Sequence, residues 1–404
     1  MSTAGKNKLN LAYEGSVKRV WQCPWQEDSL LFEFTDDYSI FDWGKMPETI
    51  ENKGRALAVF GAYFFDLLAS PSFWFNLFEQ DAPAQFNREF LQQLRTSETA
   101  NDLQKSGLPS HFQGLVNEQG EKLSLAKAAS ASDAVYMQVK KAVVQRPAPT
   151  VALNQNIFHY PQVDKSLNCR LIPLEVVFRF GMPAGSSLKE RLQKDPSYAA
   201  VLGLSGMPKE NEFFDRPVLE FYTKLEPKDR LLTVQEALLI SGLEQAQFQA
   251  LIERAQLSSL ALFHQFQQRG IELWDGKFEF ILLDGKVLLA DSIGPDELRL
   301  LYKGTHLSKE LIRQVYRGSS WEKSLKDAQR LAKERCDLDW KTICINELKS
   351  SPEPFKPRVK SVVDRLYGSL SNHLSQEDLF KNQSSLDDFV TAARDIHLDE
   401  RRGG

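Results

Sequence analysis

The clearest structural signal in this chain is the stretch Lys277-Phe278-Glu279-Phe280-Ile281-Leu282-Leu283-Asp284-Gly285-Lys286-Val287-Leu288-Leu289-Ala290-Asp291. Two apolar runs flank Asp284 and Gly285, and an Asp-Gly pair between such runs favours a tight β-hairpin. Successive side chains of a strand point to opposite faces, so Lys277 and Glu279 share one face while the phenylalanines occupy the other. The stretch therefore predicts a hairpin with one face packed in a core and one free to line a cleft.

Two acids of this hairpin, Glu279 and Asp291, are candidates for a shared metal ion. They lie opposite each other only if residues 284–286 form a three-residue loop or if the hairpin carries a one-residue bulge. Facing carboxylates repel unless a cation lies between them, and Mg²⁺ commonly binds two carboxylates plus nucleotide phosphates. The alternative is a solvated polar face in which Lys277 makes a weak ion pair. The pattern by itself favours this alternative.

Composition limits the classes of partner. The chain has 404 residues, of which 42% are hydrophobic, enough for two or three packed lobes. Fifty basic and 54 acidic side chains give a net charge of −4, so we expect neither nucleic acid nor a membrane surface as a partner. The four cysteines form no CxxC pair, which argues against a zinc knuckle or a disulfide framework. A cytoplasmic protein is expected.

The order of patterns along the chain predicts a β-rich lobe first and helices last. Residues 9–35 alternate as antiparallel strands, and a helix is expected over 54–68. Residues 233–269 read as two helices separated at Gly242, with a capping box at Thr233. The predicted domains are an N-terminal β-rich lobe with a helix, an inserted loop, a second lobe that contains the hairpin and a helical extension, at 1–144, 145–168, 169–320 and 321–404.

Two further groups of residues have the chemistry to bind phosphates or a polar substrate. The turn containing Gly15 and Lys18 could lay backbone amides and an ammonium over a polyphosphate, although one glycine in a turn is ordinary. Ser39 and Asp42 belong to a polar stretch whose simpler interpretation is an Asx-type turn.

Two arginines could bind a sugar phosphate. Arg179 ends an apolar strand, Ser186 begins a predicted helix whose amides favour an anion, and Arg299 follows the hairpin. Arginines so far apart in sequence more often make separate surface ion pairs, so both interpretations stay open.

Several stretches, taken in order, resemble the SAICAR synthetase family, whose members are phosphoribosylaminoimidazole-succinocarboxamide synthases. Among them, GLPSHF is similar to the family's GIPTHF, IPLEVVFR to its IPLEVVVR, and DGKFEF to its DFKLEF. The resembling stretches are 13–20, 35–42, 53–54, 107–112, 172–179, 184–186, 275–280 and 290–299, with Arg313 matching a basic position beyond them. The resemblance covers roughly residues 10–320 with breaks.

The resemblance implies a fold, a reaction and a set of site residues. The fold would be α/β with α+β lobes, an ATP-grasp-like or kinase-like nucleotide-binding architecture. ATP would activate the carboxylate of carboxyaminoimidazole ribotide for attack by the amine of L-aspartate, releasing ADP and phosphate. The implied ATP ligands are Gly15, Lys18 and Lys277; the Mg²⁺ ligands are Glu279 and Asp291; the substrate-binding residues are Ser39, Asp42, Arg179, Ser186, Asp296, Arg299 and Arg313. Lys277, Glu279 and Asp291 would be the catalytic residues.

The chain departs from the family pattern at four positions. Ser16 replaces a lysine, Ser292 replaces a second acid, and the family's KND is Lys224, Leu225 and Glu226 here. These departures motivate two alternatives: a ligase of the same fold with another amine or ribotide, and a nucleotide-binding paralogue without catalysis. Retention of the implied ATP and metal ligands argues against the second. The last 80 or so residues could cap the core or mediate homo-oligomer formation.

Overall fold

The computed structural model describes residues 9–402 except 81, 82, 84, 153, 154, 162, 163, 165 and 336–338. The strands are β1 (Leu11–Glu14), β2 (Lys18–Gln22), β3 (Ser29–Phe34), β4 (Phe112–Val116), β5 (Lys122–Leu123), β6 (Tyr136–Lys140), β7 (Ala148–Ala152), β8 (Gln155–His159), β9 (Cys169–Leu171), β10 (Leu174–Gly181), β11 (Phe213–Thr223), β12 (Leu231–Leu232), β13 (Ile271–Leu283), β14 (Lys286–Ala290), β15 (Leu298–Tyr302) and β16 (Thr305–His306).

The helices include long core helices and a C-terminal series. They are α1 (Lys53–Leu68), α2 (Pro71–Glu79), α3 (Arg88–Arg95), α4 (Glu98–Ser106), α5 (Leu125–Ala129), α6 (Ser187–Lys194), α7 (Tyr198–Val201), α8 (Val234–Ser241), α9 (Gln245–Gln267), α10 (Lys309–Tyr316), α11 (Ser320–Arg335), α12 (Trp340–Thr342), a π-helix (Ile343–Glu347), α13 (Pro357–Val363), α14 (Leu366–Ser375) and α15 (Leu386–Arg402).

The chain forms two compact units. Unit 1 contains residues 1–60, 114–138 and 301–404, and unit 2 contains 61–113 and 139–300. The first sheet has the strand order β1-β2-β3-β6-β4-β5, and the second has the order β12-β11-β10-β13-β15-β16, with β14 and β9 also paired to β13. The predicted contiguous domain boundaries stay a prediction.

The predicted helices of the second half are confirmed in detail. Thr233 caps α8 through a capping box with Glu236, and Gly242 ends α8 in the left-handed conformation. Ser186 caps α6 by accepting a hydrogen bond from the Leu188 N–H. No single helix in the described part of the chain is long and apolar enough to span a bilayer. Helices α1 and α2 together have the length and apolar composition of a span, but they are bent by 73° relative to each other.

The central sheet of unit 2 separates an apolar face from a polar face. The apolar face carries Phe178, Phe180, Phe278 and Phe280, all fully buried, and Phe180 packs 4.6 Å from the Phe263 ring of α9. Burying an aromatic side chain contributes about 1.5–3 kcal/mol relative to leaving it exposed. This packing anchors β10 and β13, so the side chains on the other face of both strands are held in fixed positions.

The hairpin connection has two residues, so the three-residue loop that would place Glu279 opposite Asp291 is not present. Leu283 pairs with Lys286, and Glu279 pairs with Ala290 rather than with Asp291. Asp284 and Gly285 both have positive φ, at 48° and 77°, as a type I′ turn requires. The pairing is regular from Glu279 to Leu283, without a bulge, so strand register alone does not bring the two acids together.

The inserted segment 145–168 is also not a simple loop. Its strands β7 and β8 pair with each other in an antiparallel two-stranded sheet, with Thr150 opposite Ile157. Residues 145–168 are rich in Pro and Asn and do not alternate strictly between polar and apolar residues, so the sequence predicts a loop here. Val151 and Ile157 are exposed, so this hairpin has little apolar burial of its own.

Candidate active site

Four side chains on the polar face of unit 2 form a buried ionic group, here called the lysine cluster: Glu175, Lys224, Lys277 and Glu279. Glu175 accepts hydrogen bonds from Lys277 at 2.7 Å and from Lys224 at 3.0 Å. Lys224 also donates to Glu279 at 2.5 Å, and Lys277 lies 3.7 Å from the same Glu279 oxygen. Glu279 is only 6% exposed, so the polar face is not the solvated surface of the alternative interpretation.

Strand pairing explains why these residues meet. Val177 lies opposite Lys277 on β13 and opposite Glu220 on β11, so the odd-numbered residues of β10 share the polar face with both neighbours. Glu175 therefore reaches Lys277, and Lys224 follows directly at the end of β11. Three strands that are far apart in sequence thus build one cluster.

Asp291 approaches the lysine cluster through its backbone conformation. It follows the last residue of β14 and has φ 62°, in the left-handed region that non-glycine residues rarely adopt. Its carboxylate is close enough to Glu279 and Lys224 to raise the pKa of both groups. The two acids are therefore neighbours, although for a reason that the register argument did not consider.

When Asp291 is counted with the lysine cluster, negative charge is in excess. Burial raises the pKa of Glu279, the Asp291 charge raises it further, and the two lysines only partly compensate. For Glu175, burial also raises the pKa, but Lys277 and Lys224 outweigh it and hold the pKa below its ordinary value. Glu279 is thus the carboxylate whose ionised form most needs another cation.

A metal ion at this site would need ligands from outside the protein. Within the described residues, no group of three or more histidine, cysteine or acidic side chains is arranged to hold a metal. Glu279 and Asp291 can supply two carboxylate ligands, and Mg²⁺ typically completes its coordination with water and phosphate oxygens. The donor set therefore fits a Mg²⁺ ion that arrives with a nucleotide.

A second ionic group on the same face, here called the arginine cluster, comprises Arg179, Arg191, Glu220, Asp275 and Arg299. Arg179 donates to Glu220 at 2.6 Å and to Asp275 at 3.2 Å, and Arg299 lies 3.5 Å from Asp275. Arg191 donates to both Glu220 oxygens, at 2.8 and 2.9 Å. The structure thus brings Arg179 and Arg299 together through a shared acid instead of leaving them in separate surface pairs.

The other predicted residues are distributed over both units. In unit 2, Ser186 is buried at the start of α6, the helix that carries Arg191, and Asp296 is half-buried between β14 and β15. In unit 1, the Lys18 ammonium lies 4.3 Å from the Phe32 ring centroid, and Arg313 pairs with Glu310 at 3.3 Å.

The remaining three belong to unit 1 loops. The Gly15 N–H donates to the Lys18 carbonyl at 2.8 Å, which closes the turn between β1 and β2. Ser39 is half-buried and Asp42 is exposed in the loop after β3.

Two members of the lysine cluster, Glu175 and Lys224, were not among the predicted site residues. One signal for Glu175 was available, because it and Arg179 are the only charges in the apolar run 171–180 and lie four residues apart, on one face of a strand. Lys224 gave no comparable signal, since its position depends on the pairing of β11 with β10.

The inserted segment reaches the loop that follows Lys224. The Tyr160 hydroxyl donates to Glu226 at 3.1 Å, and Arg230 donates to the same Glu226 oxygen at 3.3 Å. Burial and the Glu226 charge raise the pKa of Tyr160. Glu226, one of the departures from the family's KND, therefore has a partner in segment 145–168.

Comparison with known proteins gives a consistent result. The SAICAR synthetase family model matches residues 11–328. A putative phosphoribosylaminoimidazole-succinocarboxamide synthase of Archaeoglobus fulgidus is 29% identical over 352 residues, covering 86% of this chain and 88% of the relative. The corresponding synthase of Thermoplasma acidophilum is 26% identical, covering 80% and 88%.

A solved structure has the same fold. The SAICAR-synthase from Saccharomyces cerevisiae, complexed with SAICAR, superposes with a TM-score of 0.53 and 18% identity, covering 93% of this chain and 98% of the yeast chain. This confirms the predicted fold class.

Proposed function

Because this chain belongs to the SAICAR synthetase family, we propose that the polar face of unit 2 is the active site of an ATP-dependent ligase. The chain is a carbon–nitrogen ligase that forms SAICAR. The reaction joins the carboxylate of carboxyaminoimidazole ribotide to the amine of L-aspartate and converts ATP to ADP and phosphate. The observation that supports the site is the distribution of charge over the polar face.

The two clusters differ in the sign of their charge. Around the lysine cluster, three carboxylates, those of Glu175, Glu279 and Asp291, accompany two ammonium groups, which leaves one negative charge in excess. In the arginine cluster, three guanidinium groups accompany two carboxylates, which leaves one positive charge in excess. The first composition attracts a cation and the second attracts an anion such as a ribotide phosphate.

The substrates themselves require such an arrangement. A carboxylate does not react with an amine until one of its oxygens becomes a good leaving group, which transfer of the ATP γ-phosphoryl group provides. Attack of the amine then forms the C–N bond, phosphate departs, and the amine loses a proton. Catalysis of this type rests mainly on alignment and on charge neutralisation, so a dedicated protein base is not required.

Lys277 and Lys224 are the residues we assign to the phosphoryl group. Their ammonium groups are fixed by Glu175, whose carboxylate accepts from both. Ammonium groups held in this way neutralise phosphate oxygens without losing orientation at the moment of reaction. Glu175 is accordingly a positioning residue and does not itself contact a substrate in this proposal.

Glu279 and Asp291 would hold Mg²⁺, whose bound charge would neutralise the phosphate oxygens of ATP. The burial of Glu279, the repulsion between the two carboxylates and the raised pKa of Glu279 favour a cation at this position. Lys224 donates a hydrogen bond to one Glu279 oxygen, so metal binding would use the remaining carboxylate oxygens of Glu279 and Asp291.

The other assignments follow the family pattern. Gly15 and Lys18 would contact ATP, and Ser39, Asp42 and Asp296 would line the substrate side. Arg179, Ser186, Arg299 and Arg313 would bind the ribotide, and Arg191 is added to that group because it shares Glu220 with Arg179. We place the enzyme in the cytoplasm with small-molecule substrates as its partners.

Purified protein tests the proposal directly. With ATP, Mg²⁺, carboxyaminoimidazole ribotide and L-aspartate, we expect ADP release and a product whose mass equals that of SAICAR. Omitting any one component, or adding a chelator, should stop both ADP release and product formation. A panel of other amino acids as the amine separates the proposal from the related ligase with another substrate. Product formation only with a different amine, or tight ATP binding with no turnover, would contradict it.

A further inference from the structure

The loop that carries Ser39 and Asp42 has an unusual backbone. Phe41 and Asp42 are consecutive and have φ values of 53° and 59°, both in the left-handed region. Non-glycine residues adopt this region rarely, and two in succession persist only where surrounding contacts impose the conformation. Within the loop, the Trp43 N–H donates to the Ile40 carbonyl at 3.1 Å.

Aromatic side chains from the C-terminal part of unit 1 surround this loop. The Tyr38 ring stacks on Phe355, with centroids 5.3 Å apart and planes at 8°. Trp43 makes an edge contact with Trp321 at 5.4 Å and a tilted contact with Trp340 at 6.0 Å. Aromatic pairs of this geometry contribute stabilisation beyond their buried area, so the loop is held on both sides.

Hydrogen bonds from the same region fix the loop backbone. The Lys341 ammonium donates to the Trp43 carbonyl at 2.7 Å and lies 5.0 Å from the Trp43 ring centroid. The Phe355 N–H donates to the carboxylate of Glu48. Asp364 accepts from the backbone N–H of Glu51 at 2.8 Å. These three contacts come from residues beyond 328, where the family match ends.

We propose that the C-terminal segment 340–364 is a positioning element that holds the Ser39–Asp42 loop in its substrate-binding conformation. Lys341 and Phe355 are its positioning residues, since one fixes the backbone next to Asp42 and the other packs on the residue before Ser39. The proposal rests on the substrate-binding role assigned to this loop above. In this proposal, part of the C-terminal extension supports substrate binding, whereas the sequence alone suggested that it caps the core or mediates homo-oligomer formation.

Steady-state kinetics with a matched pair of variants test the proposal. Lys341→Met should raise the KM for the ribotide or for L-aspartate by about tenfold, because a charge-assisted hydrogen bond to the loop is lost. The KM for ATP should change little. Lys303→Met is the control, since Lys303 also pairs with the extension, through Asp387 at 2.6 Å, but that contact does not involve the loop. Lys341→Arg should recover most of the affinity.

Hydrogen exchange gives a second readout that does not depend on turnover. Amides of residues 38–46 should exchange faster in Lys341→Met and Phe355→Leu than in Lys303→Met. Unchanged exchange in both variants, or equal rises in all three KM values, would overturn the positioning role. Asp42→Asn tests the premise: if it leaves both the ribotide and the aspartate KM unchanged, the substrate role assigned to the loop is wrong, whereas the ligase activity itself is tested by the assay above.

Discussion

The His111 ring contacts the backbone of Asp291 at the point where the chain leaves strand β14. His111 Nε2 lies 3.0 Å from the Asp291 carbonyl oxygen, and Asp291 has φ 62°. The His111 N–H also donates to the Leu289 carbonyl at 2.9 Å, and Ser110 bridges to Leu289. The GLPSHF stretch therefore pairs with the end of β14 and contacts the backbone of the residue that follows it.

Replacing His111 should weaken metal binding more than nucleotide binding. In His111→Phe the Asp291 carbonyl loses its contact with the imidazole, which we expect to cost about 1–3 kcal/mol and to weaken the support of the left-handed backbone. We expect a higher Mg²⁺ concentration for half-maximal ADP release, with a smaller effect in His111→Gln, whose amide can still donate. A Mg²⁺ titration of both variants measures this. An unchanged Mg²⁺ requirement in His111→Phe would show that the contact does not position Asp291.

Glu279→Gln should abolish turnover without abolishing folding. The amide keeps the size of the side chain but removes the charge that a metal requires, so we expect a loss of at least about 100-fold in kcat. Thermal unfolding with and without Mg²⁺ and ADP provides a separate measurement. The wild-type protein should gain stability from the pair of ligands, and the variant should gain less. A normal rate in Glu279→Gln would refute the site.

Glu220 should make the arginine cluster sensitive to acid. Burial raises the pKa of Glu220, but Arg179 and Arg191 outweigh it and hold the pKa below its ordinary value of 4.5. A carboxyl with a depressed folded pKa contributes stability above its unfolded pKa and loses that contribution as the pH falls through the folded value. The free energy of unfolding should therefore decline below about pH 4.5.

Glu220→Gln tests this contribution. It leaves the fully buried Arg179 with less compensation, which we expect to cost about 3–5 kcal/mol at neutral pH and to flatten the acid dependence. Asp215→Asn is the matched control, because its pair with Arg216 is exposed and should contribute about 0–1 kcal/mol. Denaturant unfolding at several pH values measures both. Equal losses in the two variants would contradict the buried-pair account.

Local features of the site could be predicted from the sequence, and long-range ones could not. The Asp284-Gly285 turn and the polar face of β13 follow from turn preferences and from the period of two, and both are present. The prediction that register must bring the two acids together was wrong. It assumed that Asp291 continues the strand, whereas Asp291 has φ 62° and its carbonyl contacts His111, which is 180 residues away in sequence.

The partners of Lys277 could not be predicted from the sequence either, because they are long-range contacts. A single strand indicates which of its residues share a face, but the neighbouring strands and their register are set by the packing of the whole sheet. Lys224 could not be assigned for this reason. The family resemblance supplied the chemistry that the hairpin pattern alone left undecided, because it joined stretches whose proximity no local rule predicts.

Tyr160 should tether the inserted hairpin to the loop that follows Lys224. Tyr160→Phe removes the hydrogen bond to Glu226, so β7 and β8 should detach more often. Limited proteolysis should then cleave within 145–168 faster than in the wild type. Tyr13→Phe is the control, since Tyr13 is exposed on β1. If the two variants are cleaved at the same rate, the Tyr160 contact does not hold the segment.

Gly276 separates the two clusters on β13 and should not tolerate a side chain. A Cβ at this position would lie 2.5 Å from the Leu298 side chain and 2.6 Å from the Phe178 ring, both in the core. Gly276→Ala should therefore cost about 1–3 kcal/mol. Because Asp275 and Lys277 flank it, the backbone shift that relieves the clash should also displace both clusters and lower kcat. Gly206→Ala, where no atom lies within 4 Å of the added carbon, is the control for thermal unfolding and kinetics. A stable, fully active Gly276→Ala protein would mean that β13 can move without disturbing the site, which would contradict the rigid alignment on which the proposed catalysis depends.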